Sequence, residues 1–273
     1  MRTLNSRHYF TLVALIIIAG CKDQKKSQTS TPETTITELP ETSQKSIITL
    51  EKLEGSPAYT DAALTMELPS NNVIKAVGEV DFSFNVQNYE LEAQTAGSNT
   101  EQLANSGKGQ HIHFILDNQP YSAHYKPNFR KELPEGVHHL VAFLSRSFHE
   151  SVKNVNSVVV KKLTVGKNPT DALQMDMTAP TLIYSRPKGE YSGKDADNLL
   201  LDFFVLNTRL SETGNKVRAT INGKAFLITE WEPQVIRGLP KGEVTILLEL
   251  LDAHGKLIPG PFNSVTRSVI LKE

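Results

Sequence analysis

The chain has 273 residues, of which 39% are hydrophobic and 22% are charged, a composition typical of soluble globular domains. Lys and Arg number 29 against 30 Asp and Glu, so the net charge of -1 provides no basic surface for non-specific nucleic-acid binding. The single cysteine, Cys21, excludes an internal disulfide and any metal site built from several cysteines. A metal site in the folded part must therefore use other ligands.

The N-terminus has the features of a signal peptide. Arg2 and Arg7 form a positive start, and the apolar run at 12–18 is too short to span a bilayer. The sequence Ile-Ala-Gly-Cys that ends at Cys21 resembles the lipobox of bacterial lipoproteins, which implies cleavage before Cys21, diacylglycerol on its thiol and attachment to a membrane. Lys22 follows in place of the Asp of an inner-membrane retention signal, which favours the outer membrane, periplasmic or surface-facing. A plain secretory signal with a spare cysteine is the alternative.

The next segment and the remainder of the chain differ in pattern. Residues 21–46 are polar, rich in Ser and Thr, and interrupted by Pro32 and Pro40, which is typical of a flexible tether. From residue 47 onward, short alternating or apolar runs recur between Gly, Pro and Asn, without sustained 3.6-residue periodicity. This pattern predicts an all-β fold.

An internal repeat divides the all-β part into two copies. Three segments recur in the same order at a spacing of 105 to 107 residues: 111–121 with 216–226, 133–136 with 239–242, and 156–158 with 263–265. The Leu-Pro-x-Gly of each copy, followed by an alternating strand, resembles the E–F corner of immunoglobulin-like and fibronectin type III-like domains, which implies tandem β-sandwiches. The predicted organisation is a signal peptide at 1–20, a lipidated tether at 21–46, a His-rich β-sandwich at 47–168 and a second β-sandwich at 169–273.

Histidines are concentrated in the first copy. Six of the eight lie there: His111, His113, His124, His138, His139 and His149. In the second copy, Asn222-Gly223 predicts a type I′ hairpin with Ile221 opposite Lys224. Transferring that register to the first copy places the turn at Asp117-Asn118 and His124 opposite His111.

Alternation in this register assigns the residues of the hairpin to two faces. The residues predicted for the core are Ile112, Phe114, Leu116, Tyr121 and Ala123. The other face receives His111, His113 and His124, and the F–G loop brings His149, with Glu150 beside it, to the same end of the sandwich. Residues so placed lie about 4.5–7 Å apart, within reach of one ion. Three or four histidine ligands suit Zn(II) or Cu(II).

Two adjacent histidines are separated from this cluster. His138 is in phase with core residues just after the Pro-x-Gly corner, and we interpret it as structural, with its polar tip bonded to nearby backbone. His139 points outward near Asp117 and is predicted to be a solvated surface residue.

One further resemblance covers about residues 105–150. Gly107-x-Gly109-x-His111-x-His113, then Pro-x-Gly-x-His-x-Leu at 134–140 and a later His149, resembles an uncharacterised family of small secreted bacterial domains. The chain departs from that family at Ile112, where a third consecutive histidine is common. The function of that family is unknown, so the resemblance supports the sandwich fold and a metal role without establishing either.

The histidine face has a second interpretation. Lys216, Arg218 and Thr229 occupy the equivalent outward positions of the second copy, so this face accepts ordinary polar residues. It would then be a solvated surface, or the contact surface of a non-metal interaction or adhesion module that recognises protein, phosphopeptide or glycan in the cell envelope.

No nucleophile elbow, P-loop or His-Glu-x-x-His motif is present, so we predict a non-enzymatic protein. A metal-dependent enzyme would need an open coordination position.

Weaker candidates are interpreted as structural or solvated. They are the acidic residues Asp195, Asp197 and Asp202, the single Trp231, and the basic residues Lys126, Arg130, Lys131 and Arg146.

Overall fold

Apolar and alternating runs form strands almost throughout residues 47–273, the part of the chain that the computed structural model describes. The predicted signal peptide, Cys21 and the tether at 21–46 lie outside the described residues. Within residues 47–273, no helix is long and apolar enough to cross a membrane.

The described residues contain 17 strands and two helical turns. The elements are β1 (Thr49–Lys52), β2 (Ala63–Leu68), β3 (Val73–Ile74), β4 (Gly78–Gln87), α1 (Asn99–Gln102), β5 (His111–Leu116), β6 (Ser122–His124), β7 (Asn128–Leu133), β8 (Gly136–Ser145), β9 (Val158–Val165), β10 (Thr181–Arg186), β11 (Gly189–Tyr191), a 3-10 turn (Gly193–Ala196), β12 (Leu199–Leu206), β13 (Lys216–Ile221), β14 (Lys224–Ile228), β15 (Gln234–Arg237), β16 (Gly242–Leu251) and β17 (Ser264–Leu271).

The strands form two sandwiches of the same topology, which confirms the predicted all-β fold of two tandem immunoglobulin-like β-sandwiches. In the first, the three-stranded sheet β2-β4-β7 faces the five-stranded sheet β3-β9-β8-β5-β6. In the second, β1-β15-β12-β10 faces β11-β17-β16-β13-β14. The two five-stranded sheets have the same strand order, and the repeated segments at 111–121 and 216–226 begin their equivalent strands β5 and β13.

Each sandwich has its own apolar core between its sheets. Phe82 of β4 and Phe114 of β5 are buried in the first, with ring centroids 4.9 Å apart. Val217 of β13 and Ile246 of β16 are fully buried in the second. Burial of these alternating side chains on one face of each sheet accounts for the period-two pattern in the sequence.

Strand β1 corrects the predicted domain boundary. It pairs antiparallel with β15, with Leu50 opposite Ile236, and so adds an edge strand to the second sandwich. The prediction that everything from residue 47 to 168 belongs to the first sandwich is therefore wrong for residues 49–52. The first sandwich has no equivalent of this strand among the described residues.

The hairpin turn of the first copy is confirmed, but its predicted register is wrong. Asp117 and Asn118 both have positive φ, and the amide of Gln119 donates to the carbonyl oxygen of Leu116 at 2.9 Å. The strands nevertheless pair with Ile112 opposite His124, one residue away from the expected register. Pro120 has no amide hydrogen for the ladder, and pairing is re-established only at Ser122. A one-residue shift exchanges the faces of every side chain on β6.

The second copy follows its prediction, since Ile221 lies opposite Lys224 across the Asn222-Gly223 turn.

The outward face of the β5–β8 sheet is buried beneath the second sandwich. Val141 and Phe143 share an apolar cluster with Ile183 and Phe204 of β10 and β12, and the Phe143 and Phe204 ring centroids lie 4.6 Å apart. His139 faces this junction, where it is only 3% exposed. The prediction that His139 is solvated is therefore wrong, because the second sandwich covers the face on which it lies.

Candidate metal centre

Three of the four predicted histidine ligands converge at the junction of the two sandwiches. His111 and His113 are alternate residues on β5, and His149 lies in the loop between β8 and β9. The Nε2 atom of His111 lies 2.9 Å from Nε2 of His113 and 3.1 Å from Nδ1 of His149. The candidate ligand atoms of all three lie within 4.8 Å of one another. We call these residues the histidine triad.

His124 does not belong to the triad, contrary to the prediction. The one-residue shift of β6 places it opposite Ile112, on the face that points toward the core of the first sandwich. Its ring stacks on Phe129 with centroids 3.4 Å apart, and Nε2 lies 2.9 Å from the hydroxyl of Ser122. The same shift moves Tyr121 and Ala123 from the predicted core to the junction cluster.

Glu150, next to His149 in the chain, is also absent from the triad. One of its carboxylate oxygens lies 2.9 Å from the Arg146 guanidinium, and the other accepts a hydrogen bond from Ser56. The triad therefore has no carboxylate ligand among the described residues.

One hydrogen bond defines which nitrogen of His111 carries the proton. Nδ1 of His111 lies 2.8 Å from the carbonyl oxygen of Gly109, which can only accept, so Nδ1 is the donor and Nε2 carries a lone pair. Nitrogens of both His113 and His149 face that one lone pair, and a single lone pair cannot match both well. A metal ion would accept one lone pair from each ring. Hydrogen bonds such as that to Gly109 orient ligand rings in metal sites.

Burial keeps the triad uncharged near neutral pH. His111 and His113 are completely buried. Desolvation lowers the pKa of His111 to about 4 and holds the pKa values of His113 and His149 well below the usual range. The positive charge of Arg186 lowers all three pKa values further. Neutral imidazole is the form that binds metals.

The backbone at His149 is held in a rarely populated conformation. Its φ of 71° lies in the left-handed region, which costs free energy for a residue with a side chain. The amide of His149 donates to the carbonyl oxygen of Arg146 at 2.9 Å, and the amide of Arg146 donates to the carbonyl oxygen of Glu150 at 2.8 Å, so the loop turns tightly. This turn directs the ring of His149 toward β5.

Residues of the hairpin and the second sandwich complete the surroundings. The ring of Tyr121 stacks on His113 with centroids 3.5 Å apart, and its hydroxyl lies 3.2 Å from Nδ1 of His149. Arg186 of β10 donates to that hydroxyl at 3.2 Å, and the hydroxyl of Ser185 lies 3.3 Å from Nδ1 of His113. Ser185 and Arg186 could not be predicted, because no local pattern indicates which side chains a second domain brings to the first. Tyr121 was assigned to the core because the predicted register is wrong by one residue.

The structural interpretation of His138 is confirmed. Its Nε2 lies 3.1 Å from the carbonyl oxygen of Pro134, and its Nδ1 lies 2.6 Å from the Asp117 carboxylate. His138 thus ties the hairpin turn to the corner before β8.

Three of the weaker candidates, Trp231, Asp202 and Arg146, occupy structural positions. Trp231 is partly buried and donates from Nε1 to the carbonyl oxygen of Phe203 at 2.8 Å. Asp202 is buried and pairs with Lys153 at 2.5 Å, away from the turn that contains Asp195. Arg146 is buried at its pairing with Glu150 and so does not form an exposed anion patch.

The fold and the site together define a class: a tandem immunoglobulin-like protein with a largely buried histidine triad where its two sandwiches meet. The sequence matches no protein-family model and no curated protein.

A comparison with solved structures gives matches of low similarity, of which three follow. Fibronectin(III)-like modules of CbhA from Clostridium thermocellum are 12% identical over 77% of this chain and 94% of that chain, with a TM-score of 0.27. The two tandem V-type regions of VCBP3, a v-region-containing chitin binding protein, are 10% identical over 84% and 100%, with a TM-score of 0.22. SGBP-B of a Bacteroides ovatus mixed-linkage glucan utilization locus is 12% identical over 82% and 47%, with a TM-score of 0.22. At such TM-scores these likenesses carry no weight, and the strand order itself defines the fold.

Proposed function

We propose that this protein is a non-enzymatic, membrane-anchored binding protein of the bacterial envelope, and that the histidine triad holds a copper or zinc ion. The convergence of three neutral imidazoles at the junction, two of them buried and that of His149 partly buried, supports this proposal most directly. Imidazole nitrogens at such a site are ligands that suit both metals.

The spacing of the nitrogens fits a single ion. Nitrogens bound about 2.0–2.1 Å from a metal lie about 2.8–3.4 Å apart at bond angles between square and tetrahedral values. The separations of 2.9 Å and 3.1 Å from His111 Nε2 to His113 and His149 fall in this range. The candidate ligand atoms of His113 and His149 lie within 4.8 Å of each other, and His149 lies in a loop rather than a strand.

The charges around the triad favour copper over zinc. Three neutral ligands leave the charge of the ion uncompensated, and the positive charges of Arg186 and Lys188 lie close enough to lower the pKa values of His113 and His149. A monovalent ion is less disfavoured there than a divalent one, so Cu(I) is the preferred occupant. Among divalent ions, nitrogen ligands bind Cu(II) more tightly than Zn(II).

Titration of the compact unit, residues 45–273, with Cu(I), Cu(II) and Zn(II) tests the metal proposal. We expect submicromolar copper binding that falls at least about 100-fold in His113→Ala, since removal even of an outer-shell partner costs about 10–100-fold. His124→Ala is the matched control, because it removes a histidine of the same hairpin that faces away. Binding weaker than about 10 μM, or equal loss in both variants, would contradict the proposal.

Membrane attachment is a separate part of the proposal and rests on the lipobox-like sequence at Cys21. Lipid on this residue, followed by the polar segment at 22–46, would hold the sandwiches at a membrane surface. Expression of the full chain and of Cys21→Ala, followed by membrane fractionation, tests this. We expect the wild-type chain in the outer-membrane fraction and Cys21→Ala in the soluble fraction, and an unchanged distribution would refute lipid anchoring.

A second candidate function is recognition of a glycan or phosphopeptide without metal. The supporting observation is a surface groove of about 660 Å³ lined by His124, Tyr125, Phe129, Lys108 and Lys126 among others. The Tyr125 ring lies 5.0 Å from His111, so the groove borders the triad. Binding to a glycan or phosphopeptide array that is lost in Tyr125→Ala and retained in His113→Ala would favour this function over metal binding.

A further inference from the structure

The segment between β1 and β2 crosses from one sandwich to the other. β1 ends at Lys52 on the second sandwich, and β2 begins at Ala63 on the first. The amide of Leu53 donates to the carbonyl oxygen of Pro233 at 2.9 Å, which extends the attachment of β1 to the second sandwich. We call residues 53–62 the crossover segment.

Leu53 of the crossover segment packs against the loop that carries His149. Phe148, the residue before His149, is fully buried in an apolar cluster with Leu53. Leu200 of β12 and Val235 of β15 belong to the same cluster, so the second sandwich contributes to it. The position of Phe148 therefore depends on the crossover segment as well as on the second sandwich.

Polar groups of the crossover segment hold the other side of His149. Glu150, the residue after His149, accepts a hydrogen bond from the hydroxyl of Ser56. The guanidinium of Arg146, which pairs with Glu150, donates to the carbonyl oxygen of Pro57. Glu150 and Arg146 are only 3% and 4% exposed, so these hydrogen bonds are shielded from competing water.

The conformation of His149 explains why this support matters. A residue with a side chain and a φ of 71° keeps that backbone conformation only where the surrounding structure enforces it. His111 and His113 are held by β5, whereas His149 lies in a loop. The crossover segment contacts the residues on both sides of His149, and it is therefore well placed to enforce the conformation that directs its ring toward β5.

We propose that the crossover segment positions His149 in the triad, so that docking of this segment and occupancy of the triad by a metal are coupled. This inference rests on the proposed metal site. Coupling between two equilibria is reciprocal, so the factor by which the docked segment raises metal affinity is the factor by which bound metal stabilises docking. Occupancy of the triad thereby affects β1, which follows the predicted tether.

Copper titration of residues 45–273 carrying Leu53→Ala tests the proposal. This variant keeps all three histidines but removes the support of Phe148. We expect the Kd for copper to rise about tenfold, the low end of the loss that removal of an outer-shell partner causes. Leu53→Met fills nearly the same volume and should restore wild-type affinity.

Leu163→Ala is the matched control, since Leu163 is fully buried in the core of the first sandwich. It should lower the stability of the fold at least as much as Leu53→Ala and leave the Kd unchanged. Wild-type affinity in Leu53→Ala, or equal weakening in Leu163→Ala, would overturn this inference alone. A wild-type chain that binds no copper would contradict the metal proposal and this inference together.

A second measurement needs no variant to fold. In hydrogen exchange of the wild-type chain followed by NMR, the amide of Leu53 should exchange about tenfold more slowly when the triad is saturated with Cu(I). The amide of Asp252, which donates to the carbonyl oxygen of Lys256 at 2.8 Å in a turn of the second sandwich, should exchange at the same rate with and without metal. Unchanged exchange at Leu53 in the Cu(I)-saturated chain would overturn the coupling.

Discussion

The two sandwiches present the same face of the same sheet to different surroundings. On the first, β8 is buried along nearly its whole length, whereas the equivalent strand β16 alternates between buried and exposed residues. The cross-strand pair His113 and Phe143 corresponds to Arg218 and Glu249, which form a partly exposed ion pair at 2.8 Å. The two copies have the same strand arrangement, so the chemistry of this face depends on whether another domain covers it.

Coverage explains why the triad is confined to the first copy. A covered face can hold imidazoles in their neutral form, because desolvation lowers their pKa. An uncovered face keeps ordinary charged residues in water, where ion pairs contribute little. Variants on the covered and uncovered faces can therefore separate the effect of coverage from that of the strand itself.

Truncation of the covered face should cost the most. Phe143 is fully buried between the sandwiches, so Phe143→Ala should lower the free energy of unfolding by about 3–5 kcal/mol. Glu249→Ala, at the equivalent position of the second copy, should cost less than about 1 kcal/mol. Urea denaturation of both variants measures the two values. Similar losses would show that the junction is not a packed interface.

Acid should destabilise the metal-free protein through the triad. The pKa of His111 is about 4 in the folded chain against 6.5 for the free side chain. The unfolded chain therefore binds more protons between these pH values, and the free energy of unfolding falls as pH drops through this window. The His111 shift alone corresponds to about 3 kcal/mol.

Urea denaturation from pH 7 to pH 4 with a chelator present measures this dependence. It should become shallower in His111→Asn, in which His113 and His149 still contribute, and stay unchanged in His254→Asn, whose histidine is exposed on the second sandwich. A flat profile in the wild-type chain would contradict the burial of neutral imidazoles.

The glycine pair that leads into β5 provides a matched comparison within the first copy. Gly109 has a φ of 84°, and a Cβ there would lie 2.3 Å from the carbonyl oxygen of Glu92. Gly109→Ala should therefore cost about 1–3 kcal/mol and disturb the carbonyl group that orients His111. At Gly107 a Cβ meets nothing within 4 Å, so Gly107→Ala should be nearly neutral. Thermal unfolding of both variants distinguishes the positions, and equal effects would contradict the local geometry.

The smallest expected effect comes from placing histidines on the uncovered face. Lys216→His combined with Arg218→His should change the free energy of unfolding by less than about 1 kcal/mol. The introduced imidazoles should titrate near the ordinary value of about 6.5 by NMR. Depressed pKa values there would show that the strand itself, rather than coverage by another domain, lowers the pKa values at His111 and His113.

Local patterns account for much of the fold and for part of the site. Strand alternation, the Leu-Pro-x-Gly corners and the Asn222-Gly223 turn are short-range signals, and the strands they predicted are present. His124 was misplaced because Pro120 shifts a register by one residue, which a repeat alignment does not reveal. The burial of His139 and the position of Arg186 beside the triad depend on docking between the two sandwiches, which is a long-range contact without a local sequence signal.

X-ray absorption at the copper edge of the copper-loaded chain tests the central claim most directly. The triad predicts three imidazole nitrogens at about 2.0 Å from the ion, and two in His113→Ala. His124→Ala should give the wild-type spectrum, since that ring faces the other side of β6. A site with fewer than three imidazoles in the wild-type chain, or one altered by His124→Ala, would contradict the account.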